Sequence, residues 1–206
     1  MAVIYDYLSL TLPRGREAWN AFATQAAGPG AAGIAAAGGE LTSLFSPQLG
    51  FASNEAVALI RWPTGDAGSV DALTGAHAIG AWSRELLTPT LRPLTGQALR
   101  DGGIYVHRWF TVDGDRVSEF IELSGKAWGG FEGAYDTEIF GLFTASPTAA
   151  DRAAGQGRLL LLTWYASHGV WEASREQTTD SGGYFVKRHA LTRATIGRSS
   201  LRLPVA

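Results

Sequence analysis

The chain carries one set of landmarks twice, about one hundred positions apart. Tyr5 opens "YDYLSLTL" and Tyr105 opens "YVHRWFTV"; each is an alternating run followed by a polar turn. "ELTSLFSP" at 40–47 resembles "EIFGLFTASP" at 138–147. "AVALIRWP" at 56–63 matches "RLLLLTWY" at 158–165, with Trp62 opposite Trp164. "HAIGAWSRE" at 77–85 matches "HGVWEASRE" at 168–176, so His77 answers His168, and Ser83, Arg84 and Glu85 answer Ser174, Arg175 and Glu176. Matches that recur in one order point to internal duplication, and a duplicated chain must fold as two like modules.

Each half reads strand, helix, strand, strand, helix, strand, the order of the ferredoxin-like split βαβ unit. In the second half the strands are expected over about 104–112, 137–145 and 158–166, with a last strand within "KRHALTRATIG". Asp113-Gly114-Asp115 is a turn that caps a helix carrying Val117, Phe120, Ile121 and Trp128 on one stripe. That helix should end or bend at Gly125, Gly129 or Gly130, and "SPTAADRAAGQGR" should be a long mobile loop. In the first half the helix should stop before Pro29. "LTPTLRPLTG" at 87–96 links the halves. "RLLLLTWY" shows no alternation, which is expected when both faces of a strand are buried. One unit covers only one sheet face with helices. The expectation is therefore an α+β fold: two tandem ferredoxin-like βαββαβ repeats, residues 1–96 and 97–206, packed sheet to sheet as an α+β barrel.

Composition narrows the function classes. The 206 residues include seven tryptophans and nine phenylalanines, enough bulk for a sizeable core. A net charge of −2 without a basic cluster argues against nucleic acid and anionic membranes as partners. With no cysteine, disulfides, thiolate nucleophiles and cysteine-ligated zinc are excluded. "MAVIYDYLSLTLPRG" reads as a strand, not a signal peptide, and no apolar run reaches the length of a membrane helix. A cytoplasmic protein is expected.

"RLLLLTWYASHGVWEASRE", with "VSEFIEL" before it and "RHALTRATI" after it, resembles the NIPSNAP family within the dimeric α+β barrel superfamily. The likeness is firmest over about 105–200. In the first half Pro63 stands where the motif has tyrosine, and about eleven extra residues separate Trp62 from His77. The resemblance implies fold more than activity. The superfamily includes haem-binding and haem-degrading proteins, cofactor-free monooxygenases and small-molecule sensors, and interaction roles are proposed for some NIPSNAP proteins.

The candidate site residues cluster around the strand ending at Tyr165. His168, Trp171, Glu172 and Arg175 fall at i, i+3, i+4 and i+7, on one helical stripe. Arg175 can hold a carboxylate or phosphate, His168 can move a proton near neutral pH, and Glu172 can orient either. The competing reading is a solvated stripe with local ion pairs. On the strand 104–112, His107 alternates with Tyr105 and Trp109, and Arg108 faces the other way. His107 is a candidate base or haem ligand, or a histidine satisfied in the core. Trp109, Trp164 and Tyr165 read as core aromatics whose N–H and O–H groups need polar partners. No zinc-helix spacing, nucleophile elbow, phosphate loop or calcium loop is present.

These residues lead to a NIPSNAP-like small-molecule binding protein, or a cofactor-free enzyme, with an aromatic cavity inside the barrel. His107, His168 and Glu172 are the candidate catalytic groups; Trp164, Tyr165, Arg175 and Trp109 are the candidate ligand contacts. No metal site and no particular cofactor is indicated. The alternatives are a non-enzymatic scaffold with a filled barrel, in which a homo-oligomer forms through an exposed patch, and a haem-binding protein.

Overall fold

A computed structural model describes residues 3–75, 79–176 and 182–203. Among the described residues, eight antiparallel strands and seven α-helices make this a mixed α+β protein. Two units are distinguished. The first holds the chain up to Thr88 together with the segment from Ser199; the second runs from Pro89 to Arg198.

The first unit begins with β1 (Ile4–Thr11) and α1 (Arg16–Gln25). α1 does not stop before Pro29. It widens into a π-helical turn over Ala26–Gly30 that contains the proline, then continues as α2 (Ala31–Ala36). A π turn has no i→i−4 ladder for the missing N–H to break, so proline is tolerated there. β2 (Glu40–Leu49), β3 (Glu55–Trp62), the short α3 (Asp71–Thr74) and β4 (Ala81–Pro89) follow. The strand order is β4-β1-β3-β2. Leu8, Leu10, Phe22, Ile34, Ile60 and Trp62 form its core.

The matched nine-residue frames do not share a structure. Ser83, Arg84 and Glu85 lie in β4, paired with Ser9, Leu8 and Tyr7 of β1, whereas Ser174, Arg175 and Glu176 form a helical turn. "AWSRELLTP" follows the break at Gly80 and pairs its backbone with β1, which overrides a helical reading. His77 lies outside the described residues.

Arg84 has a structural use in β4. The Asp6 carboxylate is fully buried and accepts hydrogen bonds from Arg84 Nε (2.7 Å) and Nη2 (2.6 Å) and from Trp62 Nε1 (2.7 Å). Arg84 Nη2 also donates to the Gly68 carbonyl at 3.0 Å. A buried charge this well paired ties three strands together, and removing one member strands the others.

The second unit opens with β5 (Ile104–Asp113). Gly103 enters it at φ 61°, and a side chain there would collide with the Tyr165 carbonyl and the Trp164 ring, so only glycine fits. A 3₁₀ turn over Gly114–Arg116 leads into α4 (Val117–Ala134). No aspartate side chain caps α4; Asp113 pairs with Arg193 instead. The helix runs through all three glycines, because its packed face, Phe120, Ser124, Ala127, Trp128 and Phe131, outweighs their poor propensity. At Gly125 a Cβ would run into the Leu91 side chain, so glycine permits that close approach.

β6 (Thr137–Ala145) follows, and the expected mobile loop proves to contain α5 (Ala149–Ala153). Thr148 and Asp151 form a reciprocal capping box, and Asp151 also accepts from Gln156 and Arg158. Burial pushes the Asp151 carboxyl up, but the hydrogen bonds from Gln156, Thr148 and Arg158 prevail and hold it well below the usual range.

β7 (Gln156–Tyr165), α6 (His168–Ala173), a 3₁₀ turn over Ser174–Glu176, α7 (Gly182–Ala190) and β8 (Thr192–Leu203) complete the chain. The expected strand segment "KRHA" is the end of α7, and β8 starts only at Thr192. In this unit the order is β8-β5-β7-β6. The last residues of β8 belong to the first unit, where Leu203 pairs with Leu44 and Ser200 with Pro47.

β7 answers the missing alternation. Leu159, Leu161 and Tyr165 face the helices with Phe120, Trp128 and Phe131, while Leu160, Leu162 and Trp164 on the other face are buried as well. Each buried leucine contributes about 1.5–3 kcal/mol, so a strand this apolar is held in one register. Among the described residues no helix is long and apolar enough to cross a membrane.

Replacing Asp6 with alanine should cost about 3–5 kcal/mol, because Arg84 and Trp62 lose a buried partner. Urea unfolding of the variant checks this; an effect within about 0.5 kcal/mol, the size of an ordinary surface change, would show that the Asp6–Arg84 pair does not hold the unit.

Candidate functional site

The helix-facing side of the second unit's sheet is not packed solid. A cavity of about 230 Å³ lies over it. Its floor is fixed by strand register: Val106 is opposite Thr163, Arg108 opposite Leu161, and Tyr165 ends β7. Trp128 and Phe131 of α4 form one wall. Ser174 and Arg175 from the turn after α6 form another, and Phe185, Arg188 and His189 of α7 a third. Thr195 of β8 completes the rim. Phe131 meets Tyr165 (6.3 Å) and Phe185 (5.2 Å) edge to face, an arrangement that stiffens the wall.

The polar groups here are mostly donors. Arg188 is 7% exposed; it reaches Ser124 Oγ at 3.4 Å and lies against the rings of Phe110, Phe120 and Phe185 at 4.8–5.4 Å. Arg108 is half-buried and Arg175 exposed. Among the described residues no carboxylate forms an ion pair with any of the three. Burial lowers the Arg108 guanidinium, Tyr165 opposes that, and Arg175 adds to it. Burial lowers Arg188 to about 10, with Arg108 contributing and Tyr165 opposing. The Tyr165 hydroxyl is raised by burial; Arg108, a hydrogen bond with Ser174, Arg188 and Arg175 all pull it back. The phenol therefore stays protonated at neutral pH. The Trp128 indole N–H is buried without a hydrogen-bond partner.

Of the candidate residues, Tyr165 and Arg175 come together at this cavity. His107, Trp109 and Trp164 lie on the opposite strand face, where Tyr105 pairs with Trp164, His107 with Leu162 and Trp109 with Leu160. Trp164 Nε1 donates to the Gly102 carbonyl at 2.8 Å, and the Arg100 guanidinium stacks 3.8 Å from its ring centroid. Arg158 stands 5.9 Å from the Trp109 ring. His168 and Glu172 sit on α6, and neither lines the cavity. The stripe expected to join them to Arg175 is interrupted, since the chain tightens to 3₁₀ at Ser174. The imidazole that does line the cavity is His189, so a haem held there would find neither His107 nor His168 as its ligand. No cluster suited to a metal ion occurs among the described residues.

Arg108, Trp128, Arg188 and His189 are cavity residues that the sequence candidates do not include. Arg108 is legible through the alternation that sets it beside Val106 and Phe110. Arg188 and His189 escape the sequence candidates because "KRHA" reads as part of the last strand, whereas it is the end of α7.

No protein-family model and no curated protein matches the chain. Solved structures do. A candidate monooxygenase from Lactobacillus acidophilus has a TM-score of 0.62 at 12% identity, covering 98% of this chain and 94% of that one. A candidate monooxygenase from Fusobacterium nucleatum has a TM-score of 0.63 at 11% identity, covering 98% and 93%. An anthrone oxidase-like protein has a TM-score of 0.60 at 11% identity, covering 98% and 92%. At such identities the chain shares their fold.

His107 is fully buried, and burial, reinforced by Arg198, lowers it from 6.5 to about 3. The folded protein keeps it neutral while the unfolded chain protonates it below about 6.5. Stability from this group is thus full above pH 6.5 and falls progressively toward pH 3. The difference in unfolding free energy between the native protein and His107→Gln should change across that window and be flat above it. A difference flat throughout would show that His107 titrates normally.

Proposed function

We propose that this protein binds a small, largely apolar molecule in the cavity between the sheet and helices of the second unit. The observation that carries this reading is the open cavity of about 230 Å³ itself, with the rings of Trp128, Phe131 and Phe185 over a floor of Val106, Leu161 and Thr163. Evolved cores fill their space, so an open cavity of this size beside aromatic walls suits a small ligand. The NIPSNAP resemblance over about 105–200 spans the strands and helices that build the cavity, and tandem ferredoxin-like modules, residues 1–96 and 97–206, fit the shared order of elements. A cytoplasmic location belongs to the same reading.

The neighbours described as candidate monooxygenases and as anthrone oxidase-like extend the reading to an enzyme. In such a reaction dioxygen is the oxidant: a ring CH₂ becomes C=O, one oxygen atom entering the substrate and the other leaving as water. In this reading Tyr165 and His189, both in the lining, would orient that substrate.

Thr163→Phe fills the cavity floor with a ring. The variant should stay folded with an unchanged or higher Tm, and lose binding of anthrone measured by quenching of tryptophan fluorescence. Oxygen uptake with anthrone tests the enzymatic part. Equal binding of anthrone by Thr163→Phe and the native protein would place the ligand elsewhere.

A further inference from the structure

We propose that the ligand of this cavity is an acid: an apolar body carrying a carboxylate that Arg108 and Arg188 hold together. The inference rests on the cavity reading and names its substrate class. Arg188 is almost wholly removed from water, and its immediate company is one hydroxyl at 3.4 Å and three aromatic rings. Ring faces attract a cation weakly, and a 3.4 Å contact is a long hydrogen bond. Arg108 lines the same cavity, and its side chain makes no hydrogen bond or ion pair among the described residues.

Three arginines elsewhere in the chain are treated differently. Arg84, Arg92 and Arg158 are half-buried or less exposed still, and each is paired with a carboxylate at 2.6–2.9 Å, to Asp6, Glu132 and Asp151. The cavity is where cations face one another instead. Arg108 lowers Arg188, Arg175 at the rim lowers Arg108, and none of the three has a carboxylate partner among the described residues; together they form a cationic concavity open to an anion. A planar carboxylate matches the guanidinium fork and can accept from both residues. The rings of Trp128, Phe131 and Phe185 remain for the apolar body.

Isothermal titration of the full chain with 1-naphthoate and with 1-naphthalenemethanol separates charge from shape. The acid should bind about tenfold to hundredfold more tightly than the alcohol, the worth of a charged hydrogen bond, and the preference should weaken with salt. Arg188→Met and Arg108→Met should each abolish the preference without lowering Tm, since a buried uncompensated charge is removed; Arg175→Ala, at an exposed position, provides the same test with no burden on folding and should reduce it. Equal affinity for acid and alcohol overturns the carboxylate inference and leaves the cavity reading standing. Absence of binding by both probes overturns the two together.

Discussion

A strand with no wet side is the constraint on which the second unit depends. β7 carries leucine on both faces, and each face must be covered. On one side α4 and α7 supply Phe120, Trp128, Phe131 and Phe185. This cover fixes the register of β5 on β7, and the register sets Arg108, Val106, Thr163 and Tyr165 on a common surface. The cavity is therefore a consequence of how an apolar strand is covered. The helices meet the sheet through large rings, and Arg188 lies against those of Phe110, Phe120 and Phe185.

The cations are what make this cover unlike ordinary core. In the first unit a buried charge is answered at once: Asp6 has Arg84 and Trp62 around it. Asp151 in the second unit is answered as fully by Thr148, Gln156 and Arg158. Both networks hold elements together. Among the described residues Arg108 and Arg188 have no carboxylate partner of this kind, and their desolvation weakens the unit that contains them. Such a cost is retained where binding uses it, as at other sites in which stability is given up for preorganised charge.

The sequence made the scaffold legible and the site only partly so. The missing alternation of "RLLLLTWY" pointed correctly to a doubly buried strand, and the strand over 137–145 is found at those bounds. Boundaries failed where tertiary packing overrode local chemistry: α4 passes its glycines because Trp128 and Phe131 anchor its far end, and the helix at Pro29 survives by widening. α5 was readable from Thr148 and Asp151, a capping pair hidden in an otherwise loop-like composition. The frame shared by 77–85 and 168–176 misled, since identical side chains occur there on a strand and on a helical turn. Tyr165 and Arg175 were found because they flank the apolar strand. Arg188 and His189 were not, because "KRHA" reads as strand from its sequence and ends a helix in the fold.

The central claim is that the helix side of β7 is the floor of a binding site. A crystal structure of the protein with 1-naphthoate tests it most directly. The account predicts density for the ring system over Thr163 and Leu161, with carboxylate oxygens about 2.7–2.9 Å from the guanidinium nitrogens of Arg108 and Arg188. A cavity closed by its own side chains, with the probe bound at another surface, would contradict it.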